Sequence, residues 1–350
     1  MEISISERQK TKMAIYEALA NPLAGRPVAD PAAPAALAEQ AALLAEMAAE
    51  GWPVYFDTAL AQWQARDGRR LLSAAEIGAQ LPTKWLGHNL LYYAEADSTN
   101  LMAKLCIAQQ VPRGTVIVAE KQTAGRGRLL RHWVSLPRIG LWFSVILSPF
   151  APAGAALLSF LTAVAVCRVI REVAGLPAVL KWPNDVMICG RKVCGILLEA
   201  GSDGQSVIVG VGLNVSQRRD EFPAALQETA TSLALEARRP FDRPFLLAAI
   251  LSQIETRVET LIDTGSAALM DEYRSLCATI GKRVRIDFPN SIAEYGVVSG
   301  VADSGAVIFI PDAIGAGGAG AAGEGAGGAG AGGRAREVMA GDITHLRTQT

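Results

Sequence analysis

Four short segments carry residue types that can do chemistry on anions. The first is Gly125-Arg126-Gly127-Arg128, with Arg131 just beyond. Its glycines let the backbone approach a ligand closely, and its interleaved arginines set several fixed cations in one loop. Amides and guanidiniums that converge in this way suit a polyphosphate. Read alone, the run is equally a solvated basic loop, with nucleic acid among its partners. The second segment is Lys181-Trp182-Pro183-Asn184-Asp185. Pro183 and Asn184-Asp185 predict a tight turn that ends a strand, leaving Lys181 inside an apolar run. A lysine there is either an edge-strand charge or a cation facing a pocket. Asp185 could orient an amine or hold a metal, although Asn and Asp are also ordinary turn residues.

The third segment is Arg191-Lys192-Val193-Cys194-Gly195-Ile196, where Lys192 stands at the entrance of a strand and Gly195 permits close approach to the backbone. The fourth is Gly210-Val211-Gly212-Leu213-Asn214, whose glycines predict a bulge or the close approach of a ligand. No third glycine opens a helix, so this is not the dinucleotide fingerprint.

These segments need elements to position them. Leu90 to Tyr93 reads as a strand, and Asp97 or Ser98 caps a helix running to about Ala108. Thr115 to Ala119 and Gly140 to Leu147 are further strands, and Gly154 to Ala174 is a long apolar helix. Val179–Trp182, Lys192–Glu199 and Ser206–Val211 form three β-rich runs joined by turns such as Asn184-Asp185. Arg243 to Ile262 and Ala267 to Leu276 have amphipathic helical spacing. Short strands at Arg283–Phe288, Glu294–Val301 and Ala306–Ile310 suggest a small barrel, with Val338–Ala340 and Ile343–Leu346 as its returning strands. The Gly/Ala tract from 315 to 333 cannot bury a core and is expected to be a disordered insertion in a hairpin.

Composition narrows the class. The chain has 350 residues, enough for two or three compact units, and 50% of them are hydrophobic, which argues against wholesale disorder. A net charge of -1 argues against a protein whose main work is gripping a polyanion. No apolar run reaches the roughly 18 residues of a membrane span, and Met1 to Lys12 lacks the apolar core of a signal peptide. A cytoplasmic protein is expected. The five cysteines, Cys106, Cys167, Cys189, Cys194 and Cys277, form no C-x-x-C pair, and with three histidines a zinc site is not expected. They read as reduced, mostly buried thiols.

Order and combination say more than any one segment. Ser98-Thr99-Asn100 at a helix start, Gln122 before the G-R-G-R run, the K-W-P-N-D segment, Arg191 to Leu197, and Gly210 to Asn214 together closely resemble biotin protein ligases. The resemblance runs from about Leu86 to Thr350. It implies an α+β fold: a mixed sheet with flanking helices, of the class II aminoacyl-tRNA synthetase and biotin ligase type, spanning 86–275. A small SH3-like β-barrel follows at 276–350, and an Ala-rich, mostly helical, degenerate winged-helix-like region precedes at 1–85.

The implied activity is ATP-dependent formation of biotinyl-5'-AMP, then transfer of biotin to a lysine of the biotin carboxyl carrier protein of a carboxylase. Ser98, Thr99, Asn100, Gln122 and Gly195 would hold biotin, while Arg126, Gly127 and Arg128 would form the loop that closes over it. Lys192 would sit between the biotin carboxylate and the α-phosphate, with Lys181 and Asp185 in the same site and Asn214 bordering the nucleotide. Mg²⁺ is implied by the ATP, not by a visible cage, and a homodimer is allowed. The family usually has a glycine where this chain has Leu130, which leaves the closure of the loop and the placing of Arg131 open.

Three other functions can be weighed. A lipoate ligase would carry a glycine triplet after an arginine pair, which is not found. A repressor that only senses biotin would turn over ATP slowly or not at all. A bifunctional ligase and DNA-binding biotin repressor needs a cationic N-terminal domain. Here a helix near Met13, another near Leu37 and a wing from Trp52 to Leu72 resemble a winged helix faintly. Yet no Lys or Arg occurs from residue 27 to 65, and Glu39, Glu46 and Glu50 lie on the would-be recognition helix. Phosphate would repel it, and it has no arginine to offer a guanine. We therefore expect no sequence-specific DNA complex at physiological salt, with or without biotin and ATP. A salt-sensitive gel shift of one particular fragment would overturn this.

Overall fold

Runs such as 116–119 and Gly140–Leu147 are apolar almost throughout, the pattern of strands covered on both faces. A computed structural model describes residues 42–46, 54–57, 62–65, 71–147, 155–288, 292–312, 333–339 and 342–345. The helix expected near Met13 and the Gly/Ala tract, apart from Gly333, lie outside the described residues. Of the helix expected near Leu37, only 42–46 are described, and they are helical.

An antiparallel hairpin of β1 (Val54–Asp57) and β2 (Gln62–Ala65) falls inside the 52–72 stretch and precedes α1 (Ala74–Gln80). Then come β3 (Leu90–Ala96), α2 (Thr99–Ala108), β4 (Val116–Gln122) and β5 (Gly140–Leu147). Next is α3 (Leu157–Val169), which runs on through a π turn to Ala174. Four strands follow: β6 (Ala178–Lys181), β7 (Asp185–Ile188), β8 (Arg191–Ala200) and β9 (Val207–Asn214). After them lie α4 (Leu233–Ala237), α5 (Arg243–Thr264) and α6 (Ala267–Leu276).

One seven-stranded mixed sheet results, in the order β3-β4-β5-β9-β8-β7-β6, with only the β3–β4 pair parallel. Strand parity assigns its two faces. On one, α2 sets Ala103, Cys106 and Ile107 against Ile117, Ile146 and Ile208. On the other, Val116, Val118, Phe143 and Val145 meet Leu161 of α3, Leu247 and Ile254 of α5 and Tyr273 of α6. Each such aliphatic side chain contributes about 1.5–3 kcal/mol on burial.

The C-terminal strands β10 (Arg283–Asp287), β11 (Glu294–Val301), β12 (Val307–Pro311), β13 (Arg336–Val338) and β14 (Asp342–His345) form a second, antiparallel sheet. Its order is β13-β12-β11-β10-β14, so β13 and β14 are its two outer strands. The described pairings make a sheet; they do not close it into the expected barrel.

Two expectations need correcting. Asp185 is not a turn residue: the turn is made by residues 182–184, with a cis bond at Trp182–Pro183, and Asp185 opens β7, a strand the sequence reading omitted. The glycines of β9 make no bulge, since β9 pairs with β5 and β8 without a register shift. The one irregularity nearby lies between Val186 and Met187, where β7 meets β8. Leu72 and Ile77, which precede residue 86, share a buried core with the seven-stranded sheet. Four of the five cysteines are buried, as expected, and Cys189 is exposed.

Glu255 of α5 fixes that N-terminal approach. Its carboxylate accepts the backbone N–H groups of Lys84, Trp85 and Leu86 at 2.7, 2.9 and 2.8 Å. Burial alone would raise its pKa, but these three donors and the nearby Lys84 outweigh burial and hold it below the ordinary value. Stability from such a group is fully present above the unfolded carboxylate pKa and is lost as pH falls through the lower folded value. Glu255→Gln should cost about 1–3 kcal/mol in urea titrations at neutral pH. The gap from wild type should narrow as the medium is acidified below about pH 4. A gap independent of pH would rule out the charge as the anchor.

Candidate active site

Ser98 caps α2, its hydroxyl accepting from the Leu101 N–H at 3.2 Å. The cap turns Thr99 and Asn100 toward the sheet at the helix's first turn. The Thr99 N–H donates to Gln122 Oε1 at 2.8 Å, and Gln122 Nε2 donates to Ser135 Oγ at 2.7 Å. Ser144 Oγ, on β5, lies 2.7 Å from Thr99 Oγ1 and 2.6 Å from Asn100 Oδ1. Asn100 Nδ2 donates to Glu199 at 2.7 Å, and the Lys104 ammonium sits 2.5 Å from the other Glu199 oxygen. Gly210 is required here: a Cβ at that position would lie 2.2 Å from Asn100 Oδ1.

The Gly/Arg run is not an open loop. Backbone bonds pair Gln122 with Ser135, Gly125 with Trp133 and Gly127 with Arg131, making an irregular hairpin whose tip is Arg128-Leu129-Leu130. Leu129 takes a left-handed φ of 54° at that tip, and Arg128 reaches Asn184 Oδ1 at 3.4 Å. The returning arm lays the Trp133 indole over the centre of the sheet. Gly195 of β8 and Gly212 of β9 are cross-strand partners there. A Cβ on Gly212 would come within 2.4 Å of Trp133 Nε1, and one on Gly195 within 2.9 Å of the same ring. The two glycines thus make a bare floor on which the ring rests, and its N–H is buried without a partner.

Lys192 lies beside this floor, its Nζ 5.3 Å from the centre of the Trp133 ring. Its backbone is pinned on both sides, the N–H donating to Thr229 O at 2.8 Å and the carbonyl accepting from Thr231 N at 2.9 Å. Its ammonium pairs with Asp185 at 2.6 Å. Asn214 is fixed through Thr231 O and Gln217 Nε2, at 3.0 and 2.9 Å.

Every residue that the resemblance assigns to the site lines one cavity of about 530 Å³: Ser98, Thr99, Asn100, Gln122, Arg126, Gly127, Arg128, Lys181, Asp185, Lys192, Gly195 and Asn214. Arg131 lines it too. Five of these side chains are Arg or Lys and one is a carboxylate, so the cavity favours an anionic ligand. Phe222, Leu226 and Ala230 supply an apolar wall near Asn214, and Ile343 and Thr344 bring β14 to the rim. This wall falls in the segment from Asn214 towards Thr231-Ser232-Leu233 that the resemblance sets beside the nucleotide; sequence reasoning missed the β14 contribution, Trp133, Ser144 and Glu199. The one available signal was Glu199, a carboxylate at the end of an apolar strand run in phase with Gly195. Among the described residues no three His, Cys, Asp or Glu side chains are grouped to hold a metal, and no helix is long and apolar enough to cross a membrane.

A seven-stranded mixed sheet that carries a cation-rich cavity above two facing glycines has clear relatives. Residues 93–214 match the model of the biotin/lipoate A/B protein ligase family. The bifunctional ligase/repressor BirA of Bacillus subtilis (strain 168) is 37% identical over 241 residues, 68% of this chain and 74% of that one. The biotin--[acetyl-CoA-carboxylase] ligase of Paracoccus denitrificans is 34% identical over 224 residues, 61% of this chain and 91% of its own. Among solved structures, the Aquifex aeolicus biotin protein ligase in complex with biotin and ATP superposes with a TM-score of 0.61. That match has 28% identity and covers 75% of this chain and all of that one. The chain belongs to the biotin protein ligase family and is a ligase.

The glycine floor can be tested directly. Gly212→Ala must push the indole off its seat, so Trp133 emission should shift and stability should fall by about 1–3 kcal/mol, the usual cost of overpacking. The shift should vanish in a Trp133→Phe background. Unchanged emission and stability would mean that the ring does not rest on Gly212.

Proposed function

We propose that this protein activates biotin with ATP as biotinyl-5'-AMP and transfers the biotinyl group to a lysine of a biotin carboxyl carrier protein. The observation that carries the reading is the convergence of the relay at Thr99 and Gln122, the cations of the hairpin and the Asp185–Lys192 pair on one cavity. Its two ends differ, one rich in fixed amides and hydroxyls and the other apolar. That division suits a polar bicyclic head at one end and a nucleobase beside Phe222, Leu226 and Asn214 at the other.

Between those ends the first step brings together a carboxylate and a triphosphate. Their repulsion must be screened while the carboxylate oxygen is held in line with the α-phosphorus. Lys192 is the central cation for that work, with Arg126, Arg128 and Lys181 lining the same cavity. The carboxylate oxygen attacks the α-phosphorus and pyrophosphate leaves, giving a mixed anhydride that water would destroy. A hairpin already folded over the cavity serves to exclude water. In the second step the carrier amine attacks the anhydride carbonyl and AMP leaves. Asp185, freed when Lys192 turns to the phosphate, can orient the incoming amine or take its proton. The described side chains fit no cage for Mg²⁺, so a divalent cation would arrive on the triphosphate and not on a protein site.

The proposed organisation follows the same division: catalytic unit to residue 275, then an SH3-like C-terminal domain to which the second sheet belongs, after a winged-helix-like region to residue 85. The free thiols fit a reducing compartment, the cytoplasm. The Bacillus subtilis relative carries a repressor name, which favours a second reading as ligase and repressor. The absence of Lys and Arg between residues 27 and 65 speaks against it.

Lys192→Ala should cut biotin-dependent pyrophosphate release by about 100-fold or more, as expected for a pre-organised cation at developing charge. A near-normal rate would remove Lys192 from its role. Failure of the wild-type protein to biotinylate a carrier domain with biotin and ATP would remove the reading itself.

A further inference from the structure

The hydrogen bonds that converge on Asn100 have a direction, and that direction is set by a residue outside the cavity lining. Glu199 stands at the far end of β8, with Lys104 on one carboxylate oxygen and Asn100 on the other. An ionised carboxylate only accepts, so the amide of Asn100 must turn its NH₂ toward Glu199 and its Oδ1 toward Ser144. Ser144 is fully buried and has one hydroxyl proton, which must go to Asn100 Oδ1 at 2.6 Å. The contact of 2.7 Å between Ser144 and Thr99 is then a bond in which Thr99 donates. Thr99 lines the cavity, and with its proton spent on Ser144 it presents only lone pairs to a ligand.

We propose that Glu199 is a positioning residue that, through Asn100 and Ser144, fixes Thr99 as a hydrogen-bond acceptor and so selects a ligand head that offers an N–H at that point. This rests on the biotin reading above, because the ureido ring supplies such an N–H. Lys104 and the Asn100 amide keep Glu199 ionised against the effect of its burial, with Arg126 adding to them. Reversal of the chain is blocked at its source, since no proton is available from the carboxylate. A glutamine at 199 would remove that block. Its amide can donate or accept, so Asn100 could flip, Ser144 could donate to Thr99, and Thr99 could become a donor.

The test compares biotin with its two isomeric cyclic carbamates, in each of which one ureido N–H is replaced by a ring oxygen, by calorimetric titration. For the wild type, the isomer that sets an oxygen against Thr99 should bind about 10–100-fold more weakly than biotin, the cost of two facing acceptors. In Glu199→Gln that ratio should collapse to about threefold or less, while biotin itself binds the variant more weakly. Ser144→Ala breaks the same chain at its middle and should also reduce the ratio. Lys104→Met removes the ion-pair partner but keeps the carboxylate, and should leave discrimination near the wild-type value. A purely structural role for Glu199 would lower the melting temperature of Glu199→Gln and Lys104→Met alike without touching the ratio. Undiminished discrimination in both Glu199→Gln and Ser144→Ala would overturn the proposal. Wild-type protein that binds neither biotin nor the carbamates would sink the biotin reading and this inference with it.

Discussion

Glu120 and Arg243 form an ion pair that is almost wholly out of water, with the two side chains 2% and 6% exposed. Arg243 holds both carboxylate oxygens at 3.1 Å and also donates to the carbonyl of Gly140 at 2.9 Å. The remaining acceptor capacity of Glu120 goes to the N–H of Leu72 and to that of Arg138 at 3.0 Å. One charged pair therefore joins the N-terminal approach, β4, the last residues before β5, and the first turn of α5. Removing either partner would strand the other, at a cost of about 3–5 kcal/mol. The hairpin bearing Arg126, Arg128 and Trp133 leaves the sheet just after Glu120 and rejoins it just after Arg138. Its two feet are thus held at a fixed separation by that buried pair.

The centre of the sheet answers a different constraint. A ligand or an aromatic ring can lie flat on a β-sheet only where side chains are missing, and two cross-strand glycines, Gly195 and Gly212, provide that. Large side chains surround the bare patch, and the cations stand at its margin on the neighbouring elements. The pinned backbone of Lys192 and its pairing with Asp185 keep a charge at the patch without leaving it unpaired in a partly dry environment. Polar recognition at one end, charge in the middle and apolar contact at the other follow from which strand or turn reaches each margin.

Much of this was legible in the sequence, for identifiable reasons. Ser98 announced a helix start because a cap needs a short acceptor before the first helical residues, and Gly140 to Leu147 announced a buried strand by its unbroken apolar run. β7 was hidden because Asn184-Asp185 carries turn chemistry; only the pairing of Lys181 with Asp185 across the β6–β7 hairpin shows that Asp185 has left the turn. The glycines of β9 were read as breaks in a strand when they are gaps in a surface, a distinction that depends on what packs above them. Ser144 gave no useful local signal, and Glu199 offered only its place at the end of an apolar run. Their significance comes from residues 99, 100, 144 and 199 meeting from two strands and a helix, and no spacing along the chain encodes that meeting.

The cavity rim includes Ile343 and Thr344, while its opposite side begins at Ser98. A wall assembled from positions so distant along the chain is completed late during synthesis. The strands that carry Asp185, Lys192 and the hairpin precede Arg243, whose pairing with Glu120 fixes the hairpin's feet, and β14 comes later still. The rim beside them stays open until β14 has cleared the ribosome and paired with β10. A partly made chain would thus hold the cations of the site without the β14 wall, and the cavity gains its full enclosure only when the C-terminal sheet is complete.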